Sequence, residues 1–307
     1  IKKLISTSHA HTSKHLQSDY QPALFETQSP IYDKDKSVKH GKIFILDKDS
    51  NLDGKVDIEA LKWKYLNGTG DFRSDEIKAL RDEADIIITN PPFSLFRDFL
   101  AWIVEADKKF TIIGNMNAIT YKDVFPAIKN NEVWLGVYNG AKEYRRPDGE
   151  MQKMGNTLWF TNIEHGRRHG PLQLTTMADN LKFNKKIIKN KSGKNTIYQK
   201  YDNYDAIEVG YTDAIPSDYA GVMGVPISFL DKYSPEQFEI LGMCESEDLY
   251  NLKTKVYSSE EKTNAYFAKF GKKGNYNLND SAVLNINDQL ELVYRRILIR
   301  HINPLKT

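Results

Sequence analysis

An Asn-Pro-Pro-Phe turn, Asn90 to Phe93, follows directly after three isoleucines in the stretch ADIIITNPPFSLFRDF. Because proline has no N–H and a fixed φ, Pro91 and Pro92 hold the backbone extended. The Asn90 side-chain oxygen and the Pro91 carbonyl are thereby left as acceptors without local donors. Two such acceptors would hold a planar –NH2 group and draw its lone pair out of ring conjugation, and Phe93 offers a face for stacking. The turn therefore predicts chemistry on an amine.

The segments around this turn alternate between strand and helix patterns. Apolar runs predict strands at 1–5, 42–46, 85–89 and 110–115. Apolar residues at helical spacing predict helices over 58–66, after the N-cap Ser74, and over 94–109. This alternation predicts an α/β fold with a doubly wound, mostly parallel sheet, in which the apolar run DIIIT is a central strand covered on both faces. Ligands of such sheets bind beyond the carboxyl ends of the strands, where the turn lies.

The second half of the chain is less regular and predicts an α+β region. Short strand patterns alternate with Gly and Pro turns between residues 205 and 230. The stretch SPEQFEIL then predicts a helix, with Ser234 as N-cap, Pro235 at the first helical position and Gln237 in the capping-box position.

The composition limits the classes of protein that this chain can represent. With 43 Lys and Arg against 41 Asp and Glu, the net charge is only +2, so any contact with nucleic acid must be local. The single cysteine, Cys244, excludes a disulfide framework and a four-thiolate zinc site, and it fits a reducing compartment. No apolar run has the length of a membrane span or signal peptide. A cytoplasmic protein without membrane contact is predicted.

The stretch TNPPFSLFRDF resembles the signature of amino-group methyltransferases that use S-adenosylmethionine. Residues 70–128 resemble the EcoRI-type family of adenine-specific DNA methyltransferases, and the similarity continues through NEVWLGVYNGAK, GNTLWFTN, KYDNYDAIEV, DYAGVMGVPISFLDKYSPEQFEILG and RILI. The resemblance implies methyl transfer to N6 of an adenine that is flipped out of duplex DNA, as in restriction-modification systems. It implies no obligate protein partner.

The resemblance also implies an organisation of the chain. Residues 1–165 would form the methyltransferase core, with the doubly wound sheet of that enzyme class. Residues 166–307 would complete the sheet and recognise the DNA target. The family's loop around the methionine part of the cofactor has no match in these residues, and we expect it to precede residue 1.

The same resemblance assigns roles to the residues of the turn. Asn90 and Pro91 would accept hydrogen bonds from the adenine amine. Pro92 would fix the turn, and Phe93 would stack on the flipped base. Asn90 is also predicted to contact the cofactor.

A second short segment resembles the place where such enzymes bind the adenine of S-adenosylmethionine. This segment is Gly70-Asp71-Phe72, which comes before the strand at 85–89. Asp71 would accept a hydrogen bond from the amino group of the cofactor's adenine. The resemblance therefore implies a cofactor contact at each of these three residues.

Three basic clusters are candidates for contact with DNA phosphates. The segment 182–200 carries seven lysines and no acidic residue, and HGRRHG at 165–170 and GKKG at 271–274 are shorter. Lysine runs are commonly solvated loops, but in a chain of nearly zero net charge a segregated basic stretch fits sequence-independent phosphate contact. The predicted DNA contacts are Arg167, Arg168, Lys185, Lys186 and Lys189.

Other interpretations of the sequence remain open. Five residues match positions 1, 3, 5, 6 and 9 of a calcium loop: Asp49, Asn51, Asp53, Gly54 and Asp57. Position 12 is Ala60 where a carboxylate is needed, and an Asp-rich turn that caps a helix also explains the pattern. The histidines lack metal-ligand spacing, so no metal site is predicted. The turn at Asn90 would equally serve methylation of another planar amine, in an RNA base or a protein glutamine. In a non-catalytic binding module, calcium-dependent or not, it would be only a turn.

Overall fold

A computed structural model of the protein describes residues 3–10, 27–47, 62–137, 142–145, 149–189 and 197–305. The chain forms two compact units. Unit 1 comprises residues 1–110 and 141–155, and unit 2 comprises residues 111–140 and 156–307. Both units are assembled from separated stretches of sequence. The predicted division into residues 1–165 and 166–307 stays a prediction. In the residues described, no helix combines the length and the apolar character needed to cross a membrane.

The described strands are β1 (Lys3–Ser8), β2 (Lys42–Asp47), β3 (Lys62–Tyr65), β4 (Ile86–Thr89), β5 (Lys109–Asn115), β6 (Trp134–Leu135), β7 (Lys142–Arg145), β8 (Met151–Met154), β9 (Thr157–Thr161), β10 (Ile207–Glu208), β11 (Met223–Pro226), β12 (Phe238–Met243), β13 (Val283–Ile286), β14 (Gln289–Leu292) and β15 (Arg296–His301). The described α-helices are α1 (Lys34–Lys39), α2 (Asp75–Glu83), α3 (Phe96–Glu105), α4 (Phe125–Lys129), α5 (Met177–Phe183), α6 (Lys185–Lys189) and α7 (Ser259–Phe270). Short 3-10 helices span Phe93–Leu95, Met116–Thr120, Gly166–His169, Thr212–Ala214, Ile227–Lys232 and Leu278–Asp280.

In unit 1, β1, β2 and β3 form an antiparallel sheet in that order, in which Ile5 pairs with Ile45 and Phe44 with Trp63. The helix predicted over 58–66 is wrong where the structure describes it, since residues 62–65 form β3. Trp63 and Tyr65 are half-buried and alternate with exposed lysines, which is the period of two that a strand requires. Residues 58–61, like the Asp49–Asp57 loop, lie outside the described residues.

The two helices next to the predicted site are confirmed. Ser74 caps α2 by accepting a hydrogen bond from the Ile77 N–H at 3.4 Å, and Ile77 is buried. Acidic residues at the first turn of α2 suit the positive end of the helix dipole. Helix α3 buries one apolar stripe, formed by Phe96, Phe99, Leu100, Trp102 and Ile103.

Strand β4 is confirmed as a strand, but its predicted cover on both faces is wrong. Ile86 and Ile88 remain 55% and 70% exposed, while Ile87 on the other face is half-buried. A strand that is apolar on both faces can be buried on both faces. The strand's own sequence, however, does not show whether other elements pack against each face. Among the described residues, only the face with Ile87 is packed.

In unit 2, β10, β11, β15 and β12 form one sheet, in which β10 and β11 are parallel and the other pairs are antiparallel. Strand β9 pairs antiparallel with both β5 and β6, and β13 with β14. Helices together with mixed sheets fit the α/β class. The doubly wound, mostly parallel sheet is not confirmed, because a strand-and-helix alternation does not fix whether a connection crosses over the sheet or returns antiparallel beside its neighbour.

The helix predicted at SPEQFEIL is wrong. The N–H groups of Gln237 and Phe238 both donate to the Ser234 carbonyl, which closes a single turn, and β12 begins at Phe238. The Gln237 side chain does not complete a capping box but bonds both backbone groups of Leu172. From Phe238 onward, buried residues alternate with the exposed Glu239, so the strand period prevails over the helix-start signal.

An ion pair lies inside the β10-to-β12 sheet of unit 2. Arg296 on β15 donates to Glu208 on β10 through Nη2 at 2.7 Å and Nε at 3.1 Å. The Tyr201 hydroxyl donates to the same carboxylate. Glu208 is buried and Arg296 nearly so, so each charge depends on the other.

We expect Arg296→Met to lower the free energy of unfolding by about 3–5 kcal/mol, because Glu208 would stay buried without its cation. The double variant Glu208→Leu with Arg296→Met should lose clearly less, because no charge then remains in the sheet. Urea unfolding of the wild type, both single variants and the double variant measures this coupling. Additive losses would show that the pair is not coupled.

Candidate functional site

The Asn-Pro-Pro-Phe turn follows the end of β4 and keeps its two oxygens unpaired. Asn90 is exposed and Pro91 is buried. In the part of the chain that the structure describes, neither the Asn90 side chain nor the Pro91 carbonyl takes part in a hydrogen bond. Both oxygens therefore keep their capacity to accept hydrogen bonds from a ligand.

Helix α3 fixes the far side of the turn. Pro92 has a φ of −57° and a ψ of 126°, and its carbonyl accepts a hydrogen bond from the Leu95 N–H at 2.9 Å. Phe96 then enters the core, whereas Phe93 is 39% exposed. The two phenylalanines thus differ in environment, and only Phe93 presents a ring to solvent for stacking.

The loop that contains Gly70 and Asp71 is fixed against the end of β1. Gly70 has a φ of +82°, in the left-handed region, and a Cβ at this position would lie 2.9 Å from the Ser8 carbonyl oxygen. The Ala10 N–H donates to the Thr69 carbonyl at 2.7 Å. Only glycine fits here without displacing the backbone. The fixed backbone at Gly70 in turn positions Asp71, the next residue.

The Asp71 carboxylate is bound by its neighbour Arg73. One carboxylate oxygen accepts from Arg73 Nε at 2.9 Å and the other accepts from Nη2 at 2.7 Å. The Arg73 side chain lowers the pKa of Asp71 to about 2, although partial burial acts in the opposite direction. Asp71 is therefore an ionised acceptor at neutral pH, and a carboxylate has lone pairs for a further donor.

Phe72 packs against two aromatic rings of α3. Its ring centroid lies 5.0 Å from that of Phe99 and 5.5 Å from that of Trp102, and both pairs are T-shaped. The Arg73 guanidinium lies 5.4 Å from the Phe72 ring. The predicted adenine-binding loop and the Asn90 turn thus depend on the same helix, α3, within unit 1.

The two arginines of the GRRH segment differ in their availability to a ligand. Arg167 is exposed, donates to the Val137 carbonyl and pairs with Asp231. Arg168 is only 6% exposed, and its guanidinium lies 4.0 Å from the centre of the Trp134 ring. Because the Arg168 guanidinium is covered, its predicted phosphate contact is not carried forward; an arginine on an aromatic face has a packing role.

The lysines of α6 lie at the surface of unit 2. Lys185 is exposed, and the Lys186 ammonium pairs with Asp213 at 3.0 Å. Lys189 closes the helix, and its side chain lies outside the described part of the chain, as do residues 190–196. DNA contact by these lysines stays a prediction.

Comparison with known proteins decides the family. The model of the adenine-specific methyltransferase EcoRI family matches residues 1–302. The chain belongs to this family. The match contains the Asn90 turn and the Gly70 loop, so the two segments that share α3 are both family segments.

Three curated relatives are similar to this EcoRI-family chain. The Type II methyltransferase M.EcoRI of Escherichia coli is 46% identical over 57% of the chain. M.MgeORF184P of Mycoplasma genitalium and M.MpnI of Mycoplasma pneumoniae, also Type II methyltransferases, are each 34% identical, over 76% and 67% of the chain. The chain spans 55%, 70% and 66% of the three relatives' lengths. No solved structure gave a significant match.

Sequence reasoning missed three residues that support the site of this EcoRI-family chain. Arg73 holds Asp71, while Phe99 and Trp102 hold Phe72. The helical spacing placed Phe99 on a core stripe, but Trp102 was not assigned to that stripe. Contact of that stripe with the Phe72 loop depends on tertiary packing, which spacing alone does not contain.

We expect Arg73→Gln to raise the pKa of Asp71 from about 2 toward its usual value, because the first cause of the lowered pKa is the Arg73 side chain. A lowered folded-state pKa stabilises the protein above the unfolded pKa, and this contribution is lost as the pH falls through the folded pKa. The variant should lack this acid-range dependence. NMR titration of the Asp71 carboxyl carbon measures it, with Lys39→Gln as control. An unchanged Asp71 titration would contradict the assignment.

Proposed function

We propose that this chain is a site-specific DNA adenine N6-methyltransferase that uses S-adenosylmethionine. The observation that carries the proposal is the Asn90 turn: an exposed amide oxygen and an unpaired Pro91 carbonyl next to the half-exposed ring of Phe93. Membership of an adenine-specific family supports the choice of amine. The names of the relatives, Type II methyltransferases, support DNA as the substrate.

The chemistry proposed for the turn is the activation of an exocyclic amine. Each N–H of the adenine N6 group would donate to one oxygen, that of the Asn90 side chain or of the Pro91 carbonyl. These bonds draw the nitrogen lone pair out of conjugation and leave it free to attack. The same oxygens would stabilise the positive charge that develops on N6 as it takes the methyl group, while the bond between that methyl group and the cofactor sulfur breaks and its electron pair stays on sulfur. N6 would then lose one proton to solvent.

The loop at Gly70 fits the adenine part of S-adenosylmethionine. Asp71 is an ionised acceptor, which suits an adenine amino group, and Phe72 is an aromatic ring held against Phe99 and Trp102. The backbone at Gly70 has no room for a side chain. We propose that Gly70, Asp71 and Phe72 hold this adenine and that Asn90 also contacts the cofactor. When bound, S-adenosylmethionine supplies an electrophilic methyl group.

A base inside a duplex cannot reach such a turn, so the proposal includes flipping of the target adenine out of the stack. Phe93 would stack on the flipped base, and Pro92 keeps the turn in place. Arg167, Lys185, Lys186 and Lys189 are proposed to contact phosphates, in a region that recognises the target. A duplex DNA substrate also accords with the cytoplasmic location expected from composition. The doubly wound sheet of the enzyme class remains part of this proposal.

Transfer of a labelled methyl group from S-adenosylmethionine tests the proposed function. The full-length protein is incubated separately with plasmid DNA, total RNA and a protein mixture, and the labelled product is digested and identified. N6-methyladenine in DNA is the expected product. Label in RNA or in protein glutamine would favour another planar amine as the substrate, and no label in any sample would favour a non-catalytic module.

We expect Asn90→Ala to lower the rate of methyl transfer by about 10²-fold or more while DNA binding survives. The reason is that one oriented acceptor is lost at the reacting nitrogen, whereas contacts to phosphate set the affinity. Single-turnover rates and duplex binding, measured on the same preparations, separate the two effects. If Asn90→Ala kept more than about a tenth of the rate, the catalytic role would be wrong.

We expect Phe93→Ala to reduce methyl transfer far more than Phe93→Trp, because stacking on a base is worth about 1–3 kcal/mol and tolerates a change of ring. Phe93 is 39% exposed, so neither variant should change the melting temperature much. Rates and melting temperatures of both variants test this, with Phe96→Ala as the control for a buried ring. A large fall in melting temperature in Phe93→Ala would point to a packing role.

A further inference from the structure

Helix α7 is a well-formed helix that lies almost entirely at the surface of unit 2. Its N-cap Ser258 and Glu261 form a capping box, and it ends at Gly271, which has a φ of 66°. None of its twelve residues is buried. The helix is thus strongly specified at both ends but contributes little to the core.

The solvent side of α7 carries aromatic rings that are only partly covered. Phe267 and Phe270 are 57% and 49% exposed, three residues apart and therefore on neighbouring parts of one face. The Tyr266 ring is tilted by 43° against the Phe270 ring, with ring centroids 4.6 Å apart. Exposed rings of this size cost solvation free energy, so their presence on an ordered helix indicates a contact surface.

The sequence around these rings is basic. Residues 262–279 contain four lysines and no acidic residue. Lys269 is held in place by Glu291 at 2.6 Å and by the Tyr276 hydroxyl at 2.7 Å. Lys272 and Lys273 are exposed, and within the described residues they form no ion pair. The net positive charge is therefore concentrated just beyond the helix.

The turn that presents Lys272 and Lys273 has a defined conformation. Gly271 takes the left-handed geometry that ends the helix. A Cβ on Gly274 would lie 2.2 Å from the Tyr266 ring, so only glycine allows the chain to return this closely. Lys272 and Lys273 thus lie in a fixed turn that follows Phe270 directly in the chain.

We propose that Phe267, Phe270, Lys272 and Lys273, together called the α7 surface, bind duplex DNA outside the target base. This inference rests on the proposed function. Lysines without neighbouring acids fit phosphates, and aromatic rings beside them fit the bases and sugars of a strand that is distorted during flipping. Lysine is a point charge on a flexible stem, so the α7 surface adds affinity and not sequence reading.

The test compares Lys272→Ala/Lys273→Ala with the control Lys34→Ala/Lys39→Ala, which removes two exposed lysines from α1. Binding to a fluorescent duplex is measured over a range of salt concentrations. The α7 variant should lower the slope of log affinity against log salt by up to about 1.8, which is two contacts at about 0.9 each, on cognate and random duplexes alike. The control should leave the slope unchanged. An unchanged slope in the α7 variant overturns the proposal.

A second variant, Phe267→Ser/Phe270→Ser, tests the rings. We expect weaker duplex binding and a higher KM for DNA, with kcat and melting temperature unchanged, because both rings are half-exposed. Two further measurements on this variant are binding to anionic vesicles and dimer formation in light scattering. If the variant abolished either of them while duplex binding stayed intact, the surface would belong to another partner and the proposal would be overturned. Methylation of plasmid DNA by the wild type, measured in the same experiment, separates this inference from the proposed function. If the wild type methylates DNA and both variants bind duplex DNA as the wild type does, only the α7 inference fails.

Discussion

Two consecutive prolines fix the chain between β4 and α3, and the proposed chemistry depends on that restraint. A different residue at either position would bring an N–H group and a free φ. The N–H could donate to the Asn90 oxygen, and the free φ would let the backbone move into reach. The structure keeps that oxygen exposed and unpaired at the strand end. An acceptor held rigidly before its donor arrives loses no entropy on binding, which is the condition for stabilising a developing charge.

Helix α3 transmits this restraint to the second segment of the site. The 3-10 helix Phe93–Leu95 leads directly into it, and its middle carries Phe99 and Trp102 against Phe72. Arg81 reinforces the contact, since its guanidinium lies 4.8 Å from the Trp102 ring centre and donates to the Trp102 carbonyl. We therefore expect a change in the buried face of α3 to affect the Asn90 turn and the Gly70 loop together. The rigidity of the site is a property of core packing as much as of the prolines.

The sequence was sufficient where a local pattern has one physical solution. The Asn90 turn, the Ser74 cap and the apolar stripe of α3 are set by residues close in the chain, and the structure has the cap, the stripe and a turn in these places. The helix expected over 58–66 and the helix at Ser234 were wrong because start signals and a few apolar residues fit both periods. Trp63 and Phe238 pack in sheets, and that packing decided the outcome.

Burial of charged and apolar groups was the property that local patterns described least well. Arg168 reads as a surface cation in a basic cluster, yet it lies on Trp134, while Ile86 and Ile88 read as core and are exposed. Both outcomes depend on packing between segments that are distant in sequence. The same reasoning separates the basic segments. Packing covers the Arg168 guanidinium, whereas Lys272 and Lys273, in the fixed turn after α7, are exposed to solvent. A basic cluster therefore becomes a phosphate-binding candidate only when the fold exposes its charges and holds them in place.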